Sequence, residues 1–388
     1  MLSFENTEIA FKSKSNKDLN RAYFLYKVIA SNTLVFLGSK LSLLALKIHF
    51  PINWAVKPTV YSHFVGGETI DECQDTVRLF EKYNVKAILD YSVEGKESPE
   101  DFNNAMTETL KTIKNAAIDS NVPFAVFKPT AFTKEVVLEK VSAGMNLTEE
   151  EKVEADNFRK RVGTLCKTAY ENDIPILIDA EDSFFQNFID EVVEDNMEKY
   201  NKKRAIVFNT YQMYRWDRLE VLEKAYNKAV EKDYFLGAKF VRGAYMEKER
   251  ARAAEKGYKD PIQPDKDSTD RDYNAALKFC IEHIDRITVF NGTHNEYSSK
   301  YMTELMEQHN IAKDDPRCWF SQLIGMSDHI SFNLADAGYN VAKYVPFGPV
   351  SSVLPYLLRR TEENTSIAGQ TGRELSLLIK EKNRRKGK

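Results

Sequence analysis

Hydrophobic and polar positions alternate between two rhythms along most of this chain. From Lys86 onward, short apolar runs rich in β-branched and aromatic residues recur. They read KAILDYS from Lys86, FAVFKPT from Phe124, PILIDAED from Pro175, AIVFNTYQ from Ala205, LGAKFVRGAY from Leu236, ITVFNGTHN from Ile287, CWFSQL from Cys318 and VAKYVPFG from Val341. Each has strand length and is apolar at consecutive positions, the pattern of a strand buried on both faces. Between them lie stretches such as DEVVEDNMEKY and RLEVLEKAYNKAVEKD, whose apolar residues return every three or four positions, as on one face of a helix. Strand and helix alternating eight times predict a parallel α/β fold, either a barrel or an open doubly wound sheet.

The placement of polar residues separates the two. Nearly every run ends in a chemically capable group: Asp90, Lys128, Asp179 with Glu181, Gln212, Arg242, His294 with Asn295, Gln322, and Tyr344 within the eighth. A (β/α)8 barrel brings all its C-terminal strand ends to one mouth, where such groups can act together, whereas edge strands of an open sheet gain little from them. The chain therefore reads as a TIM-like barrel over 85–375, with an N-terminal helical region at 1–84 and a basic C-terminal tail at 376–388.

Composition narrows this little. The 43% hydrophobic and 29% charged fractions over 388 residues are those of an ordinary globular protein with a large core. A net charge of -3 from 55 basic and 58 acidic residues gives no electrostatic case for nucleic acid, and the stretch 382–388 reads as a solvated terminus. Cys73, Cys166, Cys280 and Cys318 lie far apart with no CxxC pair, which fits a reducing compartment and neither a zinc ribbon nor a disulfide framework. MLSFENTEIAF has no basic segment leading into an apolar one, so no signal peptide is expected. Ile29 to Phe50 is apolar but interrupted by Asn32, Ser39, Lys40, Ser42 and Lys47. It predicts a buried or interfacial helix pair split near Gly38 in preference to a membrane span.

The segment PVSSVLPYLLRRTEEN, Pro349 to Asn364, predicts a helix capped by Ser351 or Ser352 with Pro355 in its first turn. On it Tyr356, Arg359, Arg360 and Glu363 share one face. Two guanidiniums beside a phenol can clamp a small carboxylate, and a solvated Arg–Glu face at a barrel rim fits the same spacing. In KFVRGAYMEKER, Gly243 and Ala244 remove side-chain bulk where backbone could approach a ligand. DAED, Asp179 to Asp182, is open to three readings: metal cluster, general base or loop solvation. No further ligands stand at metal spacing, and His294 is the only histidine at a strand end. His49, His63, His283, His309 and His329 form no metal-binding motif and read as surface or packing residues. There is no GxSxG elbow for hydrolysis. Spacing alone reaches a barrel mouth with a carboxylate clamp, several cations and an aromatic pair, and no named reaction.

The motifs FKPTAF, DAEDSFFQ, TYQMYR, KFVRGAY, THNEYS, SQLIGM and KYVPFGPVSSVLPYLLRRTEEN, taken together and in this order, resemble the proline dehydrogenase family from about Leu89 to Leu375. The resemblance implies a distorted (β/α)8 barrel that binds FAD non-covalently and oxidises L-proline to Δ1-pyrroline-5-carboxylate by hydride transfer from C5 to flavin N5. Residue by residue, it implies that Arg359 and Arg360 hold the proline carboxylate with Lys128 completing the cationic cage. Asp179 orders that cage beside the substrate, and Lys239 lies near flavin N5. Leu323, Tyr344 and Tyr356 pack the apolar side of the ring. Ala180, Gln212, Arg242, Gly243, Ala244, Thr293 and His294 match flavin-contacting positions, and Glu94 matches an acid that pairs with Arg359 as a gate. Many bacterial members have Arg where this chain has Lys239, and Leu where it has Phe240; both choices resemble the eukaryotic-like branch. Lysine keeps the charge and loses the planar fork.

With no GxGxxG fingerprint and no aldehyde dehydrogenase half, the resemblance implies a monofunctional enzyme that passes electrons to a membrane quinone. A cytoplasmic location follows, with peripheral contact at the inner face of the cell membrane left open. Two alternatives stand beside this reading. One is hydroxyproline dehydrogenase on the same scaffold, which Tyr344 disfavours by crowding a 4-hydroxyl. The other is a catalytically silent barrel used as a binding module.

Overall fold

The computed structural model describes residues 2–31, 33–35, 38, 40, 53–93, 97–366 and 370–387. Most of the expected helix pair across 29–50 lies outside the described residues, as does Glu94 with its expected gating role.

All eight apolar runs are strands: β1 (Val85–Tyr91), β2 (Phe124–Phe127), β3 (Ile176–Ile178), β4 (Val207–Gln212), β5 (Leu236–Val241), β6 (Ile287–Gly292), β7 (Cys318–Leu323) and β8 (Val341–Phe347). Their order is that of a closed parallel barrel, β1-β2-β3-β4-β5-β6-β7-β8. Every residue of β2, β3, β4 and β8 is buried; β2 and β3 are wholly apolar, while β4 also buries Asn209, Thr210 and Gln212 and β8 buries Lys343. The crossover helices start where the sequence provides caps. Pro99–Ile118 begins on Ser98, whose side chain and that of Asp101 cap each other's backbone, and Glu149–Glu171 begins on the same device built from Thr148 and Glu151.

The chain divides into two compact units, Gly95–Ser321 and the pair of segments Met1–Glu94 and Gln322–Lys388. The first has an aromatic floor. Phe124 of β2 packs edge to face on Phe208 of β4, Phe290 of β6 and Trp319 of β7, with ring centroids 5.9, 5.1 and 5.0 Å away. Side chains two and four residues further along a strand return to the same face. That periodicity puts Lys128, Gln212 and Gly292 on the floor's side of the sheet, beyond the rings.

In the second unit the helices Asn16–Ile29 and Gln370–Arg385 meet through Leu19, Ala22, Tyr26, Leu377 and Leu378. The basic tail expected at 376–388 is thus helical through Arg385 and partly packed. Buried Glu381 receives Arg384 and Arg385, and Arg385 also donates to the carbonyl oxygens of Phe11 and Lys14 at 2.9 Å. One carboxylate, three residues before Arg384 and four before Arg385, thus pairs with two cations of that run. Among the described residues no helix is long and apolar enough to cross a membrane.

Candidate active site

Two chemically capable strand ends of the unit Gly95–Ser321 meet a lysine from inside a third strand in one ion cluster. Lys128 follows β2, Asp179 follows β3 and Lys239 lies within β5. Asp179 Oδ1 accepts from Lys239 Nζ at 2.5 Å and Oδ2 from Lys128 Nζ at 3.1 Å. Burial pushes the Asp179 carboxyl up, but the ammonium groups of Lys239 and then Lys128 outweigh it, leaving the group below the usual carboxylate range. The cluster is nearly enclosed, since Lys239 is 5% exposed and Lys128 17%. Two ammonium groups this close suit an anionic group and disfavour a third cation.

Around this cluster the loops after β3, β4 and β5 are tied together. Gln212 Nε2 donates to the Glu181 carbonyl at 2.6 Å, next to Ala180. Arg242 forms a three-way brace, donating to Asp270 Oδ1 at 2.7 Å, Thr293 Oγ1 at 2.7 Å and Ser298 Oγ at 3.0 Å, and its guanidinium lies 4.3 Å from the Tyr273 ring centre. His294 follows Thr293 beyond β6 and is half-buried. Gly243 and Ala244 are exposed, as backbone offered to a ligand should be. The reason for Gly243 is nevertheless internal: its φ is +133°, and a Cβ there would stand 2.4–2.5 Å from the Tyr214 ring. Packing and conformation demand the glycine before any ligand does.

In the other unit, Tyr344 lies in β8 and Leu323 ends β7, where the Ile324 N–H donates to the Tyr344 carbonyl at 2.9 Å. Tyr356, Arg359 and Arg360 lie on the helix Val350–Ser366. Tyr356 is buried, both arginines are half-buried, and the Arg360 guanidinium stands 5.3 Å from the Tyr356 ring centre, the one-turn neighbour that the spacing predicts. The helix start differs from expectation. It begins at Val350, so Pro355 lies inside it, beyond the first turn. Proline there forfeits the bond to the Ser351 carbonyl, and Ser351 is exposed, which makes the loss cheap.

The sequence reading missed several polar contacts. Glu181 accepts from Thr130 Oγ1 at 2.7 Å and Tyr245 Oη at 2.9 Å. Asp182 pairs with Lys248 at 2.8 Å, and Ser183 Oγ donates to Glu249 at 2.6 Å. The DAED loop is thus stitched to the segment after β5, and this excludes simple loop solvation for it. Among the described residues no group of three His, Cys, Asp or Glu side chains is arranged to hold a metal ion.

Residues 73–373 match the family model described as proline dehydrogenase. The chain belongs to the proline dehydrogenase family. Its members are oxidoreductases that act on proline. Among curated relatives, the carbapenem antibiotics biosynthesis protein CarD of Pectobacterium carotovorum subsp. carotovorum is 33% identical over 94% of this chain and 98% of its own length. Proline dehydrogenase 1, mitochondrial, of Dictyostelium discoideum is 32% identical over 98% of this chain and 74% of its own. Hydroxyproline dehydrogenase of Xenopus laevis is 29% identical over 99% and 90%. Among solved structures, proline utilization A from Bdellovibrio bacteriovorus, inactivated by N-propargylglycine, superposes with a TM-score of 0.74 at 19% identity, over 95% of this chain and 40% of that longer one. At that identity the likeness concerns the fold, and it agrees with the barrel.

Proposed function

We propose that this chain oxidises L-proline to Δ1-pyrroline-5-carboxylate with FAD as its bound cofactor. The observation that carries this reading is the Lys128–Asp179–Lys239 cluster, built from three strands by the motifs that mark the family. Arg359 and Arg360 take the substrate carboxylate by paired charge-assisted hydrogen bonds, and Lys128 adds a third cation. Leu323, Tyr344 and Tyr356 supply the apolar wall for the pyrrolidine ring.

The donor set fits a flavin dinucleotide. Lys239 brings a buried ammonium, Gln212 an amide, and Arg242 a guanidinium fixed on three sides, while Thr293 and His294 add polar side chains and Gly243–Ala244 exposed backbone. Bound FAD would supply the acceptor for the hydride leaving proline C5. The protein's own share is orientation in a water-poor pocket. Asp179 is a poor base, since it is held below the usual carboxylate range. The ammonium groups of Lys128 and Lys239 beside it instead disfavour a protonated amine, so proline binds with its amine already neutral and deprotonation precedes binding. A quinone, reached by peripheral contact with a membrane, would take the electrons onward from the bound cofactor.

The test is direct. Purified protein supplied with FAD should be yellow, and anaerobic L-proline should bleach its flavin absorbance. Protein that takes up no flavin, or whose flavin L-proline leaves oxidised, overturns the reading.

A further inference from the structure

Glu181 lies two residues beyond Asp179 and is 3% exposed. One of its oxygens accepts from the Thr130 hydroxyl at 2.7 Å and, at 3.4 Å, from the Thr130 N–H. The other accepts from the Tyr245 hydroxyl at 2.9 Å. Its own backbone is fastened as well, the N–H donating to Gln186 Oε1 at 2.9 Å and the carbonyl accepting from Gln212 at 2.6 Å. Thr130 stands two residues after Lys128, and Tyr245 directly follows Gly243–Ala244. One carboxylate thus bridges the loop that carries a substrate-cage cation and the loop that offers its backbone to the cofactor.

We propose that Glu181 is a positioning residue for the reaction, tying the Lys128 loop to the Gly243–Tyr245 loop through its carboxylate. The inference rests on the proposed function for its kinetic consequences but not for the tie itself. Every contact of this carboxylate is one in which it accepts. A proton on it reverses one of these bonds, the carboxyl O–H donating to the Thr130 or Tyr245 hydroxyl oxygen, and replaces charge-assisted bonds with weaker neutral ones, so the tie is strongest in the ionised form. The charged and titratable groups that face it are Lys128 from the β2 loop, Asp182 on its own loop and the Tyr245 phenol from the β5 loop; Gln186 and Gln212 are uncharged. Burial is the largest influence and pushes the carboxyl up to about 7, against the pull of Lys128 and the two hydroxyls. The bridge therefore loosens within the range in which the enzyme would work.

Hydrogen exchange of the full-length protein tests the tie with no cofactor present. Peptides covering 128–132 and 242–246 should exchange several-fold faster at pH 6 than at pH 8, after correction for the intrinsic rate. In Glu181→Gln, which keeps the size but carries no charge, they should exchange fast at both. Glu181→Asp keeps the charge and loses the reach, and should resemble the Gln variant. Exchange in those peptides that is unchanged by all three perturbations overturns the proposal, as does an Asp variant that behaves like wild type.

With FAD supplied, Glu181→Gln should bind the flavin roughly tenfold more weakly and raise the KM for proline, with kcat nearly kept. Its kcat/KM should lose the wild-type inflection near pH 7. Superimposable pH profiles and equal FAD affinities would again overturn the positioning role. If wild type itself binds no FAD, the proposed function fails while the exchange result still decides the tie.

Discussion

Two aspartates in this molecule are each held by two lysines, and the resemblance ends there. Asp179 sits between Lys128 and Lys239 at the strand ends of the unit Gly95–Ser321, with 16% of its side chain still exposed. Asp328 sits between Lys14 and Lys343 in the other unit, at 2.9 and 2.8 Å, with Lys343 wholly buried. Lys343 directs its remaining hydrogens inward, to the carbonyls of Met326 at 2.8 Å and Leu323 at 3.2 Å. The loop it grips is further pinned where Gly325, at φ +78°, gives its carbonyl to Tyr26 at 2.7 Å and to His63 at 2.9 Å. Burial drives the His63 imidazole down to about 3, so it stays neutral and donates. The same three side-chain types thus make a structural knot in one place and, in the function proposed, a charged receptor in the other. What distinguishes them is where the remaining donors point and how much solvent still reaches the group.

Substituting the lysines should separate the two roles most widely. Lys343→Met leaves a buried carboxylate with one partner and strips two carbonyls, and should cost about 3–5 kcal/mol of unfolding free energy in urea. Lys128→Met, at a partly exposed pair, should cost under about 1 kcal/mol yet raise the KM for proline at least tenfold, roughly what one charge-assisted hydrogen bond contributes. Equal stability losses in the two variants would erase the distinction. Next in size, Arg359→Met or Arg360→Met should raise the KM for proline by roughly ten- to a hundred-fold with flavin content kept, in line with about 1.5–3 kcal/mol for a hydrogen bond to a charged group. Wild-type kinetics in either variant would remove that arginine from the receptor.

Tyr344→Ser should move the ratio of kcat/KM values from L-proline toward trans-4-hydroxy-L-proline by roughly ten-fold or more, as about 1–3 kcal/mol for one group in a pocket implies. An unchanged ratio would bring the hydroxyproline reading forward. The smallest effect is a pH dependence. Asp328 is pulled well below the usual carboxylate range: burial opposes this, and Lys14 and Lys343 outweigh burial. A carboxyl depressed in the folded state contributes stability above its unfolded pKa, here about 3.8, and loses it as pH falls through the folded value. The cost of Asp328→Asn should therefore shrink as pH drops below about 4. Asp179 is shifted the same way but partly solvated, so the change in the cost of Asp179→Asn over the same range should stay under about 1 kcal/mol. Urea titrations from pH 3 to 7 measure both.

Not all of this was equally legible. The eight strands were, because a strand buried on both faces leaves consecutive apolar residues that no surface segment imitates. Lys128 and Asp179 were also within reach, each being polar at the end of such a run, whereas Lys239 lies inside β5 and only the family motif KFVRGAY singled it out. The Lys14–Asp328–Lys343 knot was not, since its members share no motif and Lys14 lies far from the others in sequence. Glu181 was visible as part of DAED, yet its partner Tyr245 lies 64 positions away and only the fold joins them. Gly243 drew attention for clearance toward a ligand, whereas the Tyr214 ring imposes it. Pro355 stood inside a helix because helix boundaries depend on neighbours that local capping residues do not reveal.

The packing of Asn16–Ile29 against Gln370–Arg385 has a consequence for how the protein is made. Lys14 and Arg385, joined by a hydrogen bond, are 371 positions apart. A ribosome adding roughly 5–20 residues per second therefore keeps the early helix waiting for tens of seconds before its partner exists. Through that interval Leu19, Ala22 and Tyr26 present an apolar stripe to the cytosol of the synthesising cell. Chaperone occupancy of nascent chains should persist until the last helix has left the exit tunnel.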